Sequence, residues 1–284
     1  MTLAVTGATG GLGGRVARAL AARGVAQRLL VRDPARAPEL SGATLARTTY
    51  DDQAAAVAAL EGVRTLLMVS AAETADRLAE HRAFVDAAAR AGVEHVVYTS
   101  FYGAAPDATF TLARDHWFTE EHLRASGMRF TFLRDNLYLD FLPHMVGEDD
   151  VLRGPAGDGR LAAVTRDDIA ASAVAVLLAP GEHVGATYDL TGPEALTFTE
   201  IAAVIAAHTR RPVTFHDETV EEAYASRLRW EAPPWQYDAW VSTYTAVAAG
   251  ELAGVTDHVA RLTGHAATGL ADYLARHAPR GDAS

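Results

Sequence analysis

The sequence predicts an α/β fold: a doubly wound parallel sheet with helices on both faces, followed by a smaller α+β C-terminal lobe. Short apolar runs alternate with alanine-rich helical stretches through the first two-thirds of the 284 residues. Runs such as TLLMVS and HVVYTS are apolar without alternation, as strands buried on both faces must be. Gly24, Gly62, Gly92 and Gly127 each follow a helical stretch, where a left-handed stop residue is expected.

In chain order, strands are expected at residues 3–6, 27–32, 43–47, 65–70, 95–100 and 129–134. Helices are expected between them at 12–23, 52–61, 74–91 and 112–126. After residue 135 the alternation loosens, and turn residues gather at Gly154, Pro155, Gly157 and Gly159. Thr165 with Asp168 resembles a helix cap, and Thr197 with Glu200 fits the capping box more closely. A strand at 187–190 is expected to return to the main sheet. From Pro212 one strand mixes with several helices, and all but one of the four tryptophans lie there. Residues 1–135 therefore form the sheet core. Residues 136–284 form mostly a second lobe, with segments at about 160–192 returning to the sheet. The only low-complexity stretch is the tail 279–284.

Composition narrows the class. Hydrophobic residues make up 49% and charged residues 21%, the balance of a soluble globular protein. No run reaches the ~20 apolar residues that span a bilayer. The N-terminus enters a strand at once, so no signal peptide is expected. There is no cysteine, hence no disulfide framework and no thiolate chemistry. These features point to the cytoplasm. A formal charge of -11 argues against nucleic-acid or anionic-membrane partners and leaves a small molecule as the expected one. Oligomeric state is left at monomer or homodimer. All 25 basic residues are arginine; the chain has no lysine.

Residues 3–13 read LAVTGATGGLG, a buried strand running into Gly7, Ala8, Thr9, Gly10, Gly11, Leu12 and Gly13 and then into a helix. The first glycine permits the tight turn, the second admits a pyrophosphate, and the third lets helix and strand pack closely. The pyrophosphate of a dinucleotide would rest on the free amides at the helix N-terminus. A glycine triplet alone is weak evidence; its place between the first strand and first helix of an alternating sheet supplies the context it needs. The fold is thus Rossmann-type. The second strand ends in VRDPAR, and its tip faces the adenosine ribose. Arg32 there suits a 2′-phosphate, with Arg36 one turn further, so the expected cofactor is NADP(H). Asp33 complicates the assignment, because a carboxylate could instead serve a ribose hydroxyl. Asp51 follows the third strand and could reach the adenine. Ser70, Ala71 and Ala72 follow the fourth strand along the cofactor path.

TGATGGLG, VRDPAR, LLMVSAAE, HVVYTS, AGDGRLAAVTRDDIA and ARLTGH together resemble the NmrA-like atypical short-chain dehydrogenases. The resemblance covers nearly the whole chain. It implies NADPH-dependent reduction, as in the family's bacterial quinone and triphenylmethane-dye reductases. It also implies that Gly7 to Gly13 hold the pyrophosphate and Arg32 the 2′-phosphate. Ser70 to Ala72, with Thr99 and Ser100, would line the nicotinamide side. Asn136, Leu137 and Tyr138 would pass the nicotinamide, and Arg166 would sit near the same cleft. Family members carry Gly-Trp-Tyr where this chain has Asn136-Leu137-Tyr138, so the pocket shape differs here.

Ordinary short-chain dehydrogenases pair a tyrosine with a lysine four residues on, which lowers the tyrosine pKa. Here Tyr98 is followed by Tyr102, and Tyr102 by Pro106. A lysine that a quinone-reducing family member carries after the fifth strand is matched by Glu121. The usual pair is therefore excluded. A quinone or cationic dye is already electrophilic and takes hydride directly, with its proton from water. The protein's task is then binding, orientation and exclusion of water. Tyr102 and His116 are the candidates to orient or protonate an acceptor. Phe101, Tyr102, Phe110, Trp117, Tyr138 and Phe141 follow the ends of strands five and six, where ligands bind in this architecture. Trp230, Trp235, Tyr237 and Trp240 are candidates for a lid. His116 and Glu120 have metal-ligand spacing but no third partner, so no metal is expected. The leading reading is an NADPH-dependent reductase of quinones or similar conjugated acceptors. A cofactor-sensing regulator without turnover, or a ketone or enone reductase for an aromatic natural product, are the alternatives.

Overall fold

Parallel pairing makes each strand hand the chain to a crossover before the next strand can form. The first stretch runs β1 (Leu3–Thr6), α1 (Gly13–Ala21), β2 (Gln27–Val31), β3 (Ala43–Arg47), α2 (Gln53–Leu60) and β4 (Thr65–Met68). It continues through α3 (Arg77–Arg90), β5 (His95–Phe101), α4 (Thr111–Ala125) and β6 (Arg129–Asp135). The computed structural model describes residues 2–277, so the 279–284 tail lies outside the described residues.

After β6 come β7 (Val151–Gly154), β8 (Arg160–Leu161), α5 (Arg166–Leu178), β9 (Thr187–Leu190), β10 (Leu196–Thr197) and α6 (Phe198–Thr209). The chain closes with β11 (Thr214–Asp217), α7 (Val220–Arg227), α8 (Pro234–Ala248), α9 (His258–Thr263) and α10 (Leu270–His277). Seven strands form one sheet in the order β3-β2-β1-β4-β5-β6-β9, every pair parallel. The chain winds outward from β1 in one direction, then returns to β4 and winds in the other. That reversal leaves a crevice beyond the carboxyl ends of β1 and β4.

The period-two alternation of strand side chains sorts the core into two layers. Val5, Leu29, Val97 and Leu133 meet Val16, Leu20, Ile169 and Ala173 of α1 and α5. Ala4, Leu30, Leu66 and Phe132 meet Leu60, Phe84 and Leu123 of α2, α3 and α4. A third core lies beyond the carboxyl edge. There Phe198, Ile201, Tyr244 and Val247 of α6 and α8 enclose Phe101, Phe110 and Leu139 from the strand ends. The pairs β7–β11 and β8–β10 belong to this region.

Several expectations match to the residue: the strands at 3–6, 43–47 and 187–190, with β9 pairing β6. Thr165 Oγ1 accepts from Asp168 N at 3.0 Å, and Thr197 with Glu200 forms a full capping box. A second capping box, Thr219 with Glu222, was equally visible as T-x-x-E in the sequence. The departures are local. α3 begins at Arg77, not residue 74, because residues 69–72 form an irregular segment held by side chains. β4 stops at Met68 for the same reason. Two-residue strands such as β8 and β10 carry too little pattern to read. Among the described residues, no helix is long and apolar enough to cross a membrane.

Helix α4 is tied to β6 by a buried ion pair. Glu120 is fully buried and accepts from Arg134 Nε at 2.8 Å and Nη2 at 2.6 Å, from Arg124 at 3.1 Å and from Ser100 Oγ at 2.6 Å. This bidentate geometry is what arginine supplies and lysine does not. Arg134→Leu leaves Glu120 undercompensated and is expected to cost about 3–5 kcal/mol in denaturant unfolding. Adding Glu120→Leu is expected to recover part of that loss; a single variant as stable as wild type would contradict the assignment.

Candidate active site

At the crevice the first turn is built to bring backbone close to a ligand. Gly7 has φ +65°, and its carbonyl accepts from Gly10 N at 2.8 Å. A Cβ at Gly13 would lie 2.5 Å from the carbonyl oxygens of Thr6 and Gly7. Only glycine therefore lets α1 start directly on the end of β1. No side chain caps α1; Gly14 N and Arg15 N turn back to Gly10 O and Leu12 O, and the amides of Gly11, Leu12 and Gly13 have no partner among the described residues. An open cradle with uncapped amides fits the pyrophosphate of a dinucleotide. Arg166 lies across it: a Cβ at Gly11 would be 2.6 Å from Arg166 Nη1. Asp140, itself buried, orients that arginine, with Oδ2 accepting from Arg166 N at 2.8 Å and Oδ1 3.2 Å from Nε.

At the tip of β2, Asp33 is engaged by its own turn. One of its carboxylate oxygens accepts from Ala35 N at 3.0 Å and caps the short 3₁₀ turn Pro34–Arg36. Arg32 and Arg36 are exposed and have no ion-pair partner among the described residues. Asp51 is exposed at the bend before α2, and its neighbour Asp52 caps that helix through Ala55 N.

The segment after β4 is the least regular part of the site and the most completely held. Val69 N donates to Thr6 Oγ1 at 2.8 Å, and Val69 O accepts from the Tyr50 hydroxyl at 2.5 Å. Ser70 N donates to Thr99 Oγ1 at 2.9 Å. Ala71 N donates to His81 Nε2 at 2.9 Å, and Ala71 O accepts from Arg77 Nε at 3.1 Å. Sequence reasoning named Ser70 to Ala72 and Thr99 in this segment and did not name Thr6, Tyr50, Arg77 and His81, the side chains that hold it. These four come from separate stretches of chain, and no spacing rule links them.

Donor chemistry fixes the proton on each buried imidazole. His81 Nε2 is an acceptor, so its proton sits on Nδ1, 2.9 Å from Thr119 Oγ1; that hydroxyl donates on to Asp115 O at 2.7 Å. Arginine has only donors, so His116 Nε2 accepts from Arg77 Nη2 at 2.9 Å. Its Nδ1 proton then faces the Tyr98 hydroxyl at 2.9 Å. Burial, and then the Arg77 charge, hold both rings well below the ordinary histidine value.

Several expected site residues are therefore redirected. His116 is sealed under α3 with both nitrogens occupied and is not placed to protonate an acceptor. Tyr102 meets the backbone of Gly254, where a Cβ would overlap its hydroxyl. Thr99 and Ser100 point to opposite faces of β5, so Ser100 serves Glu120 and not the crevice. Asn136 is fully buried, with Nδ2 donating to Leu252 O and Oδ1 accepting from Leu137 N; it locks two loops together. Trp117 lies on the flank of α4 beside Arg124, away from the His116 face. Glu121 is exposed and pairs with Arg124. Phe101 is buried against Phe110 and forms the floor between sheet and lobe. Trp235 is half-buried at the start of α8, while Trp230, Tyr237 and Trp240 pack edge to face beside it.

Tyr138, Phe141 and Arg166 are brought together. The two rings stack at 5.9 Å, and the guanidinium lies 4.8 Å over Phe141 and 5.7 Å over Tyr138. Phe141 is 49% exposed, a flat apolar surface beside the glycine cradle. Behind the shelf, burial pushes the Asp135 carboxyl up to about 7, while the neighbouring Tyr138 hydroxyl pulls it down. One Asp135 oxygen is enclosed without a hydrogen-bond partner among the described residues.

The chain matches the NmrA-like family over residues 1–239. It is 34% identical to quinone oxidoreductase 2 of Escherichia coli (strain K12) over 280 residues, covering 96% of this chain and 97% of that protein. It is 33% identical to the NAD(P)H azoreductase of Xenophilus azovorans, covering 96% and 97%. The structure of an NADPH-dependent quinone oxidoreductase from Escherichia coli with NADPH matches at TM-score 0.88 and 32% identity, covering 97% and 99% of the two chains. Citrobacter sp. triphenylmethane reductase with NADP(H) matches at TM-score 0.87 and 29% identity, covering 96% and 99%.

The neutral histidines give a pH-dependent prediction. The folded pKa of His116 lies below its ordinary 6.5, so the unfolded chain takes up the proton first and stability falls as pH falls below 6.5. Wild type is expected to lose stability faster than His116→Gln between pH 6.5 and 5, by about 1 kcal/mol per pH unit. Asp135 acts in the opposite direction in both proteins and cancels. Parallel stability–pH curves would refute the neutral assignment.

Proposed function

Because this chain belongs to the NmrA-like family, we propose that it is an NADPH-dependent reductase passing hydride directly to a quinone or a similar conjugated acceptor. Two proteins it resembles are a quinone oxidoreductase and an NAD(P)H azoreductase, which supports this reading. The carrying observation is the arrangement at the carboxyl edge. A glycine cradle adjoins an exposed aromatic shelf, the chain has no lysine, and His116 is turned inward.

Bound in the cradle, the reduced nicotinamide supplies two electrons as hydride. The residues do the rest. Gly7 to Gly13 and the amides of α1 hold the pyrophosphate, and Arg166 covers it. Arg32 and Arg36 take the 2′-phosphate, with one oxygen of the neighbouring Asp33 engaged by the Ala35 amide. Ser70 to Ala72 border the nicotinamide side. Tyr138 and Phe141 offer the acceptor a flat surface, and the α8 aromatics close over it as a lid. After hydride transfer a quinone or azo acceptor draws its proton from water and a cationic dye needs none, so the protein needs orientation more than an acid. The partner is a small molecule, not nucleic acid, and the chain works in the cytoplasm as a monomer or homodimer.

NADPH oxidation is expected with a panel of quinones, azo dyes and triphenylmethane dyes. Tight NADPH binding with no turnover on any of them would replace this reading with a cofactor sensor. Arg32→Ala is expected to lower the preference for NADPH over NADH by about tenfold, the loss of one charge-assisted contact. An unchanged ratio in direct binding would remove Arg32 from the phosphate site.

A further inference from the structure

We propose that Arg77 and His81 are positioning residues for the nicotinamide half of the cofactor: they grip the backbone of Ala71 from both sides and fix the turn that borders it. The proposal rests on the reading that residues 70–72 line the bound dinucleotide.

The turn has no ladder to hold it. β4 ends at Met68 and α3 starts at Arg77, so the intervening backbone must find partners outside regular structure. At Ala71 both polar groups are taken by side chains, the N–H by His81 and the C=O by Arg77. Both side chains are buried, Arg77 at 4% exposure and His81 at 0%. Neither is anchored only to the turn. From His81 the hydrogen bonds continue through Thr119 to the backbone of α4. From Arg77 they continue through His116 to Tyr98 of β5. The place of Ala71 is thereby set by α4 and β5.

The two residues are not interchangeable with others of their charge class. His81 must present an acceptor, which only its neutral ring supplies. Arg77 donates from two separate nitrogens of one planar group, Nε to Ala71 O and Nη2 to His116 Nε2, a span that lysine, with all its donors on one atom, does not reproduce. Losing His81 leaves a buried N–H unpaired, and the turn relaxes away from the position it holds for the cofactor.

The test measures NADPH dissociation constants by direct binding, acceptor KM and thermal unfolding for His81→Phe, His81→Gln and Arg77→Lys. His81→Phe is expected to weaken NADPH about tenfold, the cost of one unsatisfied buried donor, while acceptor KM stays within about twofold. His81→Gln keeps an acceptor and is expected to recover most of the affinity. Arg77→Lys is expected to fall between wild type and His81→Phe, and it carries the test if the phenylalanine variant does not fold. Folded variants that bind NADPH as wild type does would overturn the proposal. So would a glutamine variant no better than phenylalanine with equal loss of melting temperature, which marks a purely structural role. Wild type that fails to bind NADPH would instead overturn the cofactor reading itself, and the proposal with it.

Discussion

Backbone polar groups at the carboxyl edge of a parallel sheet must be satisfied without a neighbouring strand, and the site is shaped by how this chain meets that demand. Inside the sheet every strand shares its hydrogen bonds with two partners or one. Beyond the last residues of β1, β4, β5 and β6 that supply ends. The chain answers differently at each exit. After β1 it uses glycine and leaves the amides of Gly11, Leu12 and Gly13 open among the described residues. After β4 it closes every amide between residues 69 and 71 with a side chain. After β6 it spends the Asn136 amide on Leu252 and Leu137. An open exit is where a ligand can be received; a closed exit is where a wall can stand.

The absence of lysine runs through the same architecture. Arginine serves where a forked donor is needed: Arg134 clamps Glu120, Arg77 divides itself between Ala71 and His116, and Arg166 spans cradle and shelf. Arg134 and Arg77 donate from separate nitrogens of one planar group, whereas an ammonium carries all its donors on one atom. The tyrosine–lysine catalysis of ordinary short-chain dehydrogenases is lost with the lysine. The buried positions beside the strand ends are occupied instead by neutral histidines and ion pairs that hold elements in place. Such a frame suits acceptors that take hydride without a protein acid.

The buried imidazoles also show why a residue type does not identify a role. His116 and His81 sit on neighbouring helices, and each could be a base, an acid or a ligand by composition alone. Burial first, and the Arg77 charge second, keep both neutral. Their chemistry is spent on position.

Much of the molecule was legible in the chain. Strand positions, the parallel arrangement, the helix stops at Gly24, Gly62, Gly92 and Gly127, the capping box at Thr197 and the glycine turn all follow from local rules. Buried strands, left-handed stops and uncapped amides each need particular residues at short spacing. What the tertiary structure alone decided is direction. Thr99 and Ser100 are adjacent yet serve opposite faces, and His116 and Trp117 point to different flanks of one helix. Tyr102 reaches across to Gly254, and Asp33 spends a carboxylate oxygen on its own turn. Arg77 and His81 carry no motif, because their partner is the backbone of a turn brought to them by the sheet. Local sequence fixes which backbone is made; side-chain roles at the edge depend on groups tens of residues away, and only packing brings those together.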